Sequence, residues 1–317
     1  MKKRILWLLL TICIFVSCKE ENNIDARAEM RNFVISISKI AKQHRSSFIV
    51  IPQNGIELVT LNDQSNGPLA TDYLTAIDGH GQEDLFYGYD TDDHATSKED
   101  SDYLKSYLNR SKSAGNVILV TDYCSSQQHI STALTKNNAE GFISFAAPER
   151  ALNVIPPDIH NENKQDINHL GDAQNFLYLI NPENFATKQN FIESVCATNY
   201  DVVIMDLFFH DGVAFTADEI NTLQHKANGA KRLIIAYMSI GEAEDYRYYW
   251  QKSWKKSKPV WLEAENPNWE GNYKVRYWHP EWQNIICDKN DSYLSRILAA
   301  DFDGVYLDII DAFEYFE

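Results

Sequence analysis

The sequence predicts an α/β fold of the (β/α)8 TIM-barrel type, and three observations predict it. Short apolar runs alternate with helical stretches along the 317 residues, the pattern of βαβ units and a parallel sheet. The runs are continuous rather than alternating, so the strands are expected to be covered on both faces. Nearly every run ends in a polar or aromatic residue: Asn54, Glu83, Asp122, Asp206, Glu242, Glu244, Trp278 and Asp308. In a barrel such tips converge on one face, where active sites sit. An open doubly wound sheet is the alternative, but no GxGxxG follows the first strand, which counts against a dinucleotide fold.

The elements follow in order. Lys2-Lys3-Arg4 and the apolar run from Ile5 to Val16 read as a signal peptide over 1–17, too short to span a bilayer comfortably. Phe15-Val16-Ser17-Cys18 resembles a bacterial lipobox, which implies lipidation of Cys18; an ordinary signal with an incidental cysteine is the alternative. Lys19-Glu20-Glu21 resembles the acidic export tag of surface lipoproteins. The expected location is the bacterial cell envelope, with the chain lipid-anchored at the outer membrane and open to surface exposure. Residues 18–28 read as a tether, and 29–317 as one barrel domain.

Met30, Phe33, Val34, Ile37, Ile40 and Ala41 repeat at helical spacing and predict a helix over 27–43. A strand over 48–54, a helical and looping stretch over 56–75, a strand over 77–86, an acidic then helical stretch over 91–114 and a strand over 116–122 come next. A helix is predicted over 126–138, and 141–147 is a further strand candidate. The Pro-, Asn- and Asp-rich stretch 151–173 reads as a linker. The pattern then restarts with strands at 175–181, 201–207, 231–239, 273–278 and 303–309, and helices at 186–199, 216–228 and 283–299.

The formal net charge is −16, and removal of residues 1–17 takes away three bases and no acids, leaving −19. Such a surface repels nucleic acid and attracts cations or cationic polymers, or serves only solubility. Without CxxC or Cys/His clusters, no zinc site, metal or other cofactor is expected. Cys124, Cys196 and Cys287 leave either one disulfide or free thiols.

"IIAYMSIGEAEDYRYYW", "NPNWEGNYKVRYW" and "FDGVYLDIIDAFEYF" resemble glycoside hydrolase family 114, the endo-α-1,4-polygalactosaminidase family, in three long motifs in family order. The resemblance implies a TIM barrel. "FIVIPQNG", "IDGHGQEDLFYGY", "VILVTDYC" and "GFISFAAPERALNVI" resemble segments that normally follow the "YLDIID" strand, yet here they precede the first strand of the usual order. The resemblance therefore implies a circular permutation: 29–150 hold the later strands, 174–317 the earlier ones, and 151–173 joins the old ends. In family order the eight strands are 175–181, 201–207, 231–239, 273–278, 303–309, 48–54, 77–86 and 116–122, with 141–147 as a ninth candidate, an edge addition or an extended loop. The residues near 29 and 317 must then lie together, close to the active-site face.

Glycoside hydrolysis usually takes two carboxyl groups flanking the scissile bond. By motif the resemblance carries them to Asp308 and Glu83; Asp311 and Asp84 are the neighbouring choices. It implies that Tyr237, Glu244 and Arg247 orient a sugar, where a rim network is the other reading. Trp278, with Trp269, Tyr273 and Tyr277, offers aromatic planes to pyranose C–H faces or packs the rim. Asp206 bonds substrate or caps the next helix, and Asn54 sits where the characterised branch also has asparagine. "YLDIID" lacks the asparagine that follows the matching aspartate in that branch, and "QED" replaces its Asn-Glu-Gln. The implied function is hydrolysis of an α-linked amino-sugar (galactosamine-type) polysaccharide; the competing reading is a non-catalytic glycan-binding lipoprotein on the same barrel. The implied partners are a cationic polysaccharide and, through the anchor, a membrane.

Overall fold

The computed structural model describes residues 24–317. The predicted signal peptide, Cys18 and the start of the tether lie outside the described residues. The tether is shorter than expected: Asp25 accepts a hydrogen bond from the Ala28 amide and caps α1 (Ala26–His44). The apolar stripe of α1, with Met30, Phe33, Val34, Ile37 and Ala41 fully buried, packs on the strands and on α2 (Thr71–Ala76).

The core is a set of parallel strands in two hydrogen-bonded sheets. One holds β1 (Ile49–Pro52) next to the chain's last strand. The other runs β2 (Gly79–Glu83), β3 (Val117–Tyr123), β4 (Ile143–Ala147). α3 (Lys98–Ser113) and α4 (Gln127–Glu140) are the crossovers of the second sheet. β5 (Phe176–Tyr178), α5 (Lys188–Cys196), β6 (Val202–Asp206), α6 (Ala217–Leu223) and β7 (Leu233–Ser239) continue the first. A small antiparallel sheet follows, from β8 (Glu242–Glu244), β9 (Leu262–Glu265) and β10 (Asn272–Val275) in the order β8-β10-β9. α7 (Pro280–Gln283), α8 (Tyr293–Ala299) and β11 (Gly304–Asp308) close the chain, ahead of a 3-10 turn over Ile310–Phe316. The larger sheet has the order β1-β11-β7-β6-β5.

A single parallel bridge, Gln53 to Gly81, joins the sheets at β1 and β2. At the other seam Phe145 of β4 faces Phe176 of β5 with ring centroids 5.7 Å apart, but no ladder joins these strands among the described residues, so no barrel is closed. β5 is only three residues long, which leaves little backbone to pair.

Three expectations are corrected. Segment 273–278 is not a strand of the parallel set; its buried positions alternate, Tyr273 and Val275 in, Asn272 and Lys274 out, the signature of a strand covered on one face. Segment 141–147 is a strand at the edge of its sheet: β4 pairs with β3 from Leu119–Ile143 to Tyr123–Ala147, and it is the eighth parallel strand rather than a ninth. The helix expected over 283–299 is broken, with a π-helical turn over Asn284–Asp288 between α7 and α8.

The strap 151–173 runs where a crossover helix would lie between β4 and β5. Its far end is held by a buried ion pair, Lys226 Nζ to Asp201 Oδ1 at 2.5 Å, with neither side chain exposed. Lys226 also donates to the Gln165 carbonyl at 2.9 Å, and Asn163 donates to Asp201 Oδ2 at 2.8 Å. The first helix and the last turn also meet. Arg27 Nε donates to Glu317 Oε1 at 2.6 Å, and its guanidinium lies 4.5 Å from the centre of the Phe313 ring. Cys124, Cys196 and Cys287 are free thiols.

Two glycines are required by close approach. A Cβ on Gly81 would meet the Tyr306 hydroxyl at 2.0 Å, and one on Gly241 would meet the Ile309 carbonyl at 2.1 Å. The second explains the glycine inside "SIGEAE": that loop crosses directly over the exit of β11.

Candidate active site

A cleft of ≈ 670 Å³ lies over the C-terminal ends of the parallel strands. Every one of the eight contributes at or just beyond its end: Gln53 and Asn54 (β1), Glu83 (β2), Tyr123 (β3), Arg150 (β4), Tyr178 (β5), Asp206 (β6), Tyr237 (β7) and Asp308 (β11). The antiparallel sheet and its loops form one wall, with Glu244, Tyr246, Arg247, Asn266 and Trp269. The strand ends thus converge although the ladders leave one seam open.

Three strands leave the sheet by the same device. Asn54, Asp84 and Ile309 directly follow Gln53, Glu83 and Asp308 at the ends of β1, β2 and β11, and all have positive φ, 59°, 60° and 58°. That region is ordinary for Asn and Asp but rare for β-branched isoleucine. The turn keeps Gln53, Glu83 and Asp308 aimed into the cleft while the chain departs, and the strained Ile309 sits directly beside Asp308.

The Tyr237 hydroxyl donates to Asp308 Oδ2 at 2.6 Å. Glu83 accepts from the Tyr123 hydroxyl on Oε1 and from Asn54 Nδ2 at 3.2 Å on Oε2. Asn54 Oδ1 in turn accepts from the Glu83 amide at 3.0 Å, which locks the two side chains to each other. Burial, followed by the Glu83 charge, pushes the Asp308 carboxyl up to about 8. Asp311, from the turn after β11, also lines the cleft. Burial first and then the charge of Glu314 push it up to about 7.

A second cluster sits across the cleft. Arg247 Nε donates to Glu244 Oε2 at 2.6 Å, and its Nη1 lies 2.7 Å from Asp206 Oδ2. The Tyr246 hydroxyl donates to Glu244 Oε1 at 2.5 Å. The near-total burial of Arg247 makes these strong charge-assisted bonds, and the cluster forms a stiff wall. Asp206 also accepts from the Phe208 amide at 2.7 Å. Burial raises its pKa and Arg247 opposes the shift.

Two expected site residues lie elsewhere. Asp84 turns away from the cleft because of its positive φ and pairs with Arg150 at 2.9 Å. Trp278 packs against Tyr277 and Phe316, with ring centroids 5.0 and 4.7 Å apart, because segment 273–278 left the parallel set. Of the other aromatics, Trp269 does line the cleft and is 58% exposed at its mouth.

The strand-tip rule also chose the wrong residue on β3. Glu83 pairs in register with Thr121, so Thr121 and Tyr123 share the inward face and Asp122 points out. Asp122 there accepts from the Phe86 and Tyr87 amides at 2.6 and 3.0 Å. Tyr123 was the residue to choose, and the period-two parity of the strand was the available signal. Glu242, another tip, is fully buried behind the wall and accepts from Asn266 Nδ2 at 2.9 Å and the Tyr315 hydroxyl at 3.0 Å. Gln53 and Tyr178, joined at 2.9 Å, had no sequence signal for their pairing.

The model of glycoside-hydrolase family GH114 matches residues 163–317. An uncharacterized protein of Methanocaldococcus jannaschii is 40% identical over 182 residues, which cover 55% of this chain and 49% of that protein. An uncharacterized protein of Deinococcus radiodurans is 42% identical over 126 residues, 40% of this chain and 38% of the relative. One of Thermotoga maritima is 52% identical over 81 residues, 26% and 24% of the two chains. The chain therefore spans about half the length, or less, of these relatives. The family match supports membership of GH114 and, at that coarse level, glycosidase activity.

Proposed function

We propose that the chain is an endo-acting glycosidase on an α-linked galactosamine-type polysaccharide, built on a (β/α)8 arrangement. Asp308 is the proton donor and Glu83 the partner carboxylate. The observation that carries this reading is that both carboxyls line one cleft, each held by a tyrosine hydroxyl, with the Glu83 charge helping to keep the proton on Asp308. A carboxylic acid that holds its proton at neutral pH beside a second carboxyl group is the pairing that glycoside hydrolysis uses. Asp308 protonates the leaving oxygen, and Glu83 activates water or attacks the anomeric carbon. Tyr237, Tyr123 and Asn54 keep the two carboxyls in place. The stiff Asp206–Arg247–Glu244 wall and Trp269 hold and orient the sugar chain. Acidic side chains outnumber basic ones around the cleft, which favours a cationic polymer.

The test is release of reducing ends from α-1,4-polygalactosamine by the purified chain. Release supports the reading. Binding without release returns the non-catalytic glycan-binding alternative.

The pH profile has a direction. The donor must keep its proton, so kcat/KM is expected to fall about tenfold per pH unit above about 8, where Asp308 ionises. A profile flat to pH 10 would remove Asp308 from that role.

We also propose that the fold is circularly permuted. In space β11 is followed by β1, which α1 precedes in sequence, and the Arg27–Glu317 pair brings the start of α1 to the turn after β11. A short linker from 317 to 26 would turn β11, α1 and β1 into an ordinary βαβ unit. A variant joined there and opened within 151–173 is expected to fold with native circular dichroism. An insoluble or molten product would count against the permutation.

A further inference from the structure

β1 lies between the two strands that end in Asp308 and Glu83. It pairs with β11 through a ladder that reaches Pro52–Leu307, and it meets β2 through the Gln53–Gly81 bridge. Gln53 is the next residue after Pro52, so it sits beside Asp308 on one flank, and Glu83 follows Gly81 by two residues on the other. The backbone is fastened on both flanks. The Gln53 amide donates to the Leu307 carbonyl at 2.8 Å, and the Asn54 amide donates to the Gly81 carbonyl at 2.9 Å. Gln53 therefore occupies the stretch of wall between the two carboxyls, and it lines the cleft with them.

Its side chain is held at one end and free at the other. Tyr178 of β5 donates its hydroxyl to Gln53 Oε1 at 2.9 Å. Tyr178 is itself buried and meets Tyr306 edge-on, with ring centroids 5.2 Å apart, which fixes the phenol in place. Gln53 Nε2 has no hydrogen-bond partner among the described residues. Yet it is not one of the sealed polar atoms: Gln53 as a whole is 1% exposed, and its nitrogen keeps accessible surface. An amide nitrogen carries two N–H donors, and a buried donor is costly unless an acceptor reaches it.

The neighbouring side chains do not supply that acceptor. Asp308 Oδ2 accepts from Tyr237, and Glu83 accepts from Tyr123 and Asn54. The acceptor has to come with what the cleft binds. It is an oxygen with a free lone pair, since an ammonium group has only donors to offer.

We propose that Gln53 is a substrate-contacting residue. Its Nε2 donates to a hydroxyl oxygen of the sugar unit that lies between Asp308 and Glu83, and Tyr178 is the positioning residue that aims it. The identity of the polymer rests on the function proposed above. The contact adds an orientation to it: the unit turns a hydroxyl towards β1 and its ammonium away from Gln53, because two donors cannot pair.

The experiment uses the full chain in two forms. With Asp308→Asn, so that the ligand is not consumed, an α-1,4-galactosamine tetramer is titrated by calorimetry. With Asp308 in place, kcat and KM are measured on the polymer. Gln53→Met keeps the length of the side chain and removes the donor. It is expected to weaken tetramer binding and to lower kcat/KM by about tenfold, near the upper end for one lost hydrogen bond. Tyr178→Phe is expected to cost about threefold, because the amide loses its anchor but keeps its donor. The two together should match Gln53→Met alone, since Tyr178 acts through Gln53; independent effects would multiply. Melting temperatures check that the variants fold. Should Gln53→Met not fold, the paired variant strands no hydroxyl and carries the comparison. Affinity and kcat/KM unchanged without the Gln53 amide overturn the contact, and losses that multiply in the pair overturn the role of Tyr178. If the wild type releases reducing ends and does so equally well without the amide, the contact falls and the glycosidase stands. If nothing is hydrolysed yet tetramer binding depends on Gln53, the contact stands and the glycosidase falls. A tetramer that neither binds nor is cleaved removes both.

Discussion

Asp308→Asn is expected to lower kcat on α-1,4-polygalactosamine by about 10²–10⁴-fold, the usual worth of a positioned general acid. The affinity for uncleaved oligomer should change little, because asparagine keeps the shape and still accepts from Tyr237. Glu83→Gln is expected to be as damaging. A double variant should lose much less than the product of the two effects, since the groups act on one step. The same substitution reads out on stability with the opposite sign. In the fold Asp308 keeps its proton up to about 8, whereas in the unfolded chain it loses it near 4. Its contribution is therefore most favourable below pH 4 and declines as pH rises from 4 towards 8. Asparagine removes that penalty, so the variant should be more stable than wild type by on the order of 2 kcal/mol at pH 7 and no different at pH 3.5. Denaturant titrations at the two pH values measure it. An inactive variant destabilised at pH 7 would speak for a structural role instead.

Lys226→Met is expected to cost about 3–5 kcal/mol, the penalty for stranding one partner of a buried ion pair. With roughly 2–4 °C lost per kcal/mol, the melting temperature should fall by about 10 °C. Asp201 would keep its bonds from Asn163 and the Gln174 amide but lose its only ion-pair partner among the described residues. The strap 151–173 would lose the Gln165 anchor as well. Adding Asp201→Asn should recover part of the loss, because the stranded charge goes with it. Asp201 immediately precedes β6, at the end of the strands away from the cleft, so hydrolysis at low temperature should persist. A shift below about 2 °C would mean that the pair contributes nothing to holding the strap.

Much of the fold was legible because burial leaves a local mark. Continuous apolar runs located six of the eight parallel strands, the polar and glycine-rich 77–86 was placed as a seventh without such a run, and the stripe from Met30 to Ala41 located α1 within one residue at each end. The eighth strand was misjudged, with 273–278 chosen over 141–147. The alternation in Asn272-Tyr273-Lys274-Val275 was there to be read, but aromatic density and the resemblance outweighed it. The break between α7 and α8 had no comparably clear signal.

The site was legible in part for the same reason. Sequence by itself determined which residue types close each strand, and so brought Asn54, Glu83, Asp206, Glu244 and Asp308 into consideration; the family resemblance added Tyr237, Arg247 and Asp311. Which way each points was decided by tertiary structure. Side-chain direction in a strand has period two, so the register of β2 against β3 turns Tyr123 inward and Asp122 outward. A positive φ at Asp84 sends it to Arg150 and leaves Glu83 alone in the cleft. The proton on Asp308 depends on burial and on a carboxylate more than two hundred positions away in the chain. Local pattern encodes burial; long-range packing sets orientation and charge coupling, and the chemistry proposed for this cleft needs both.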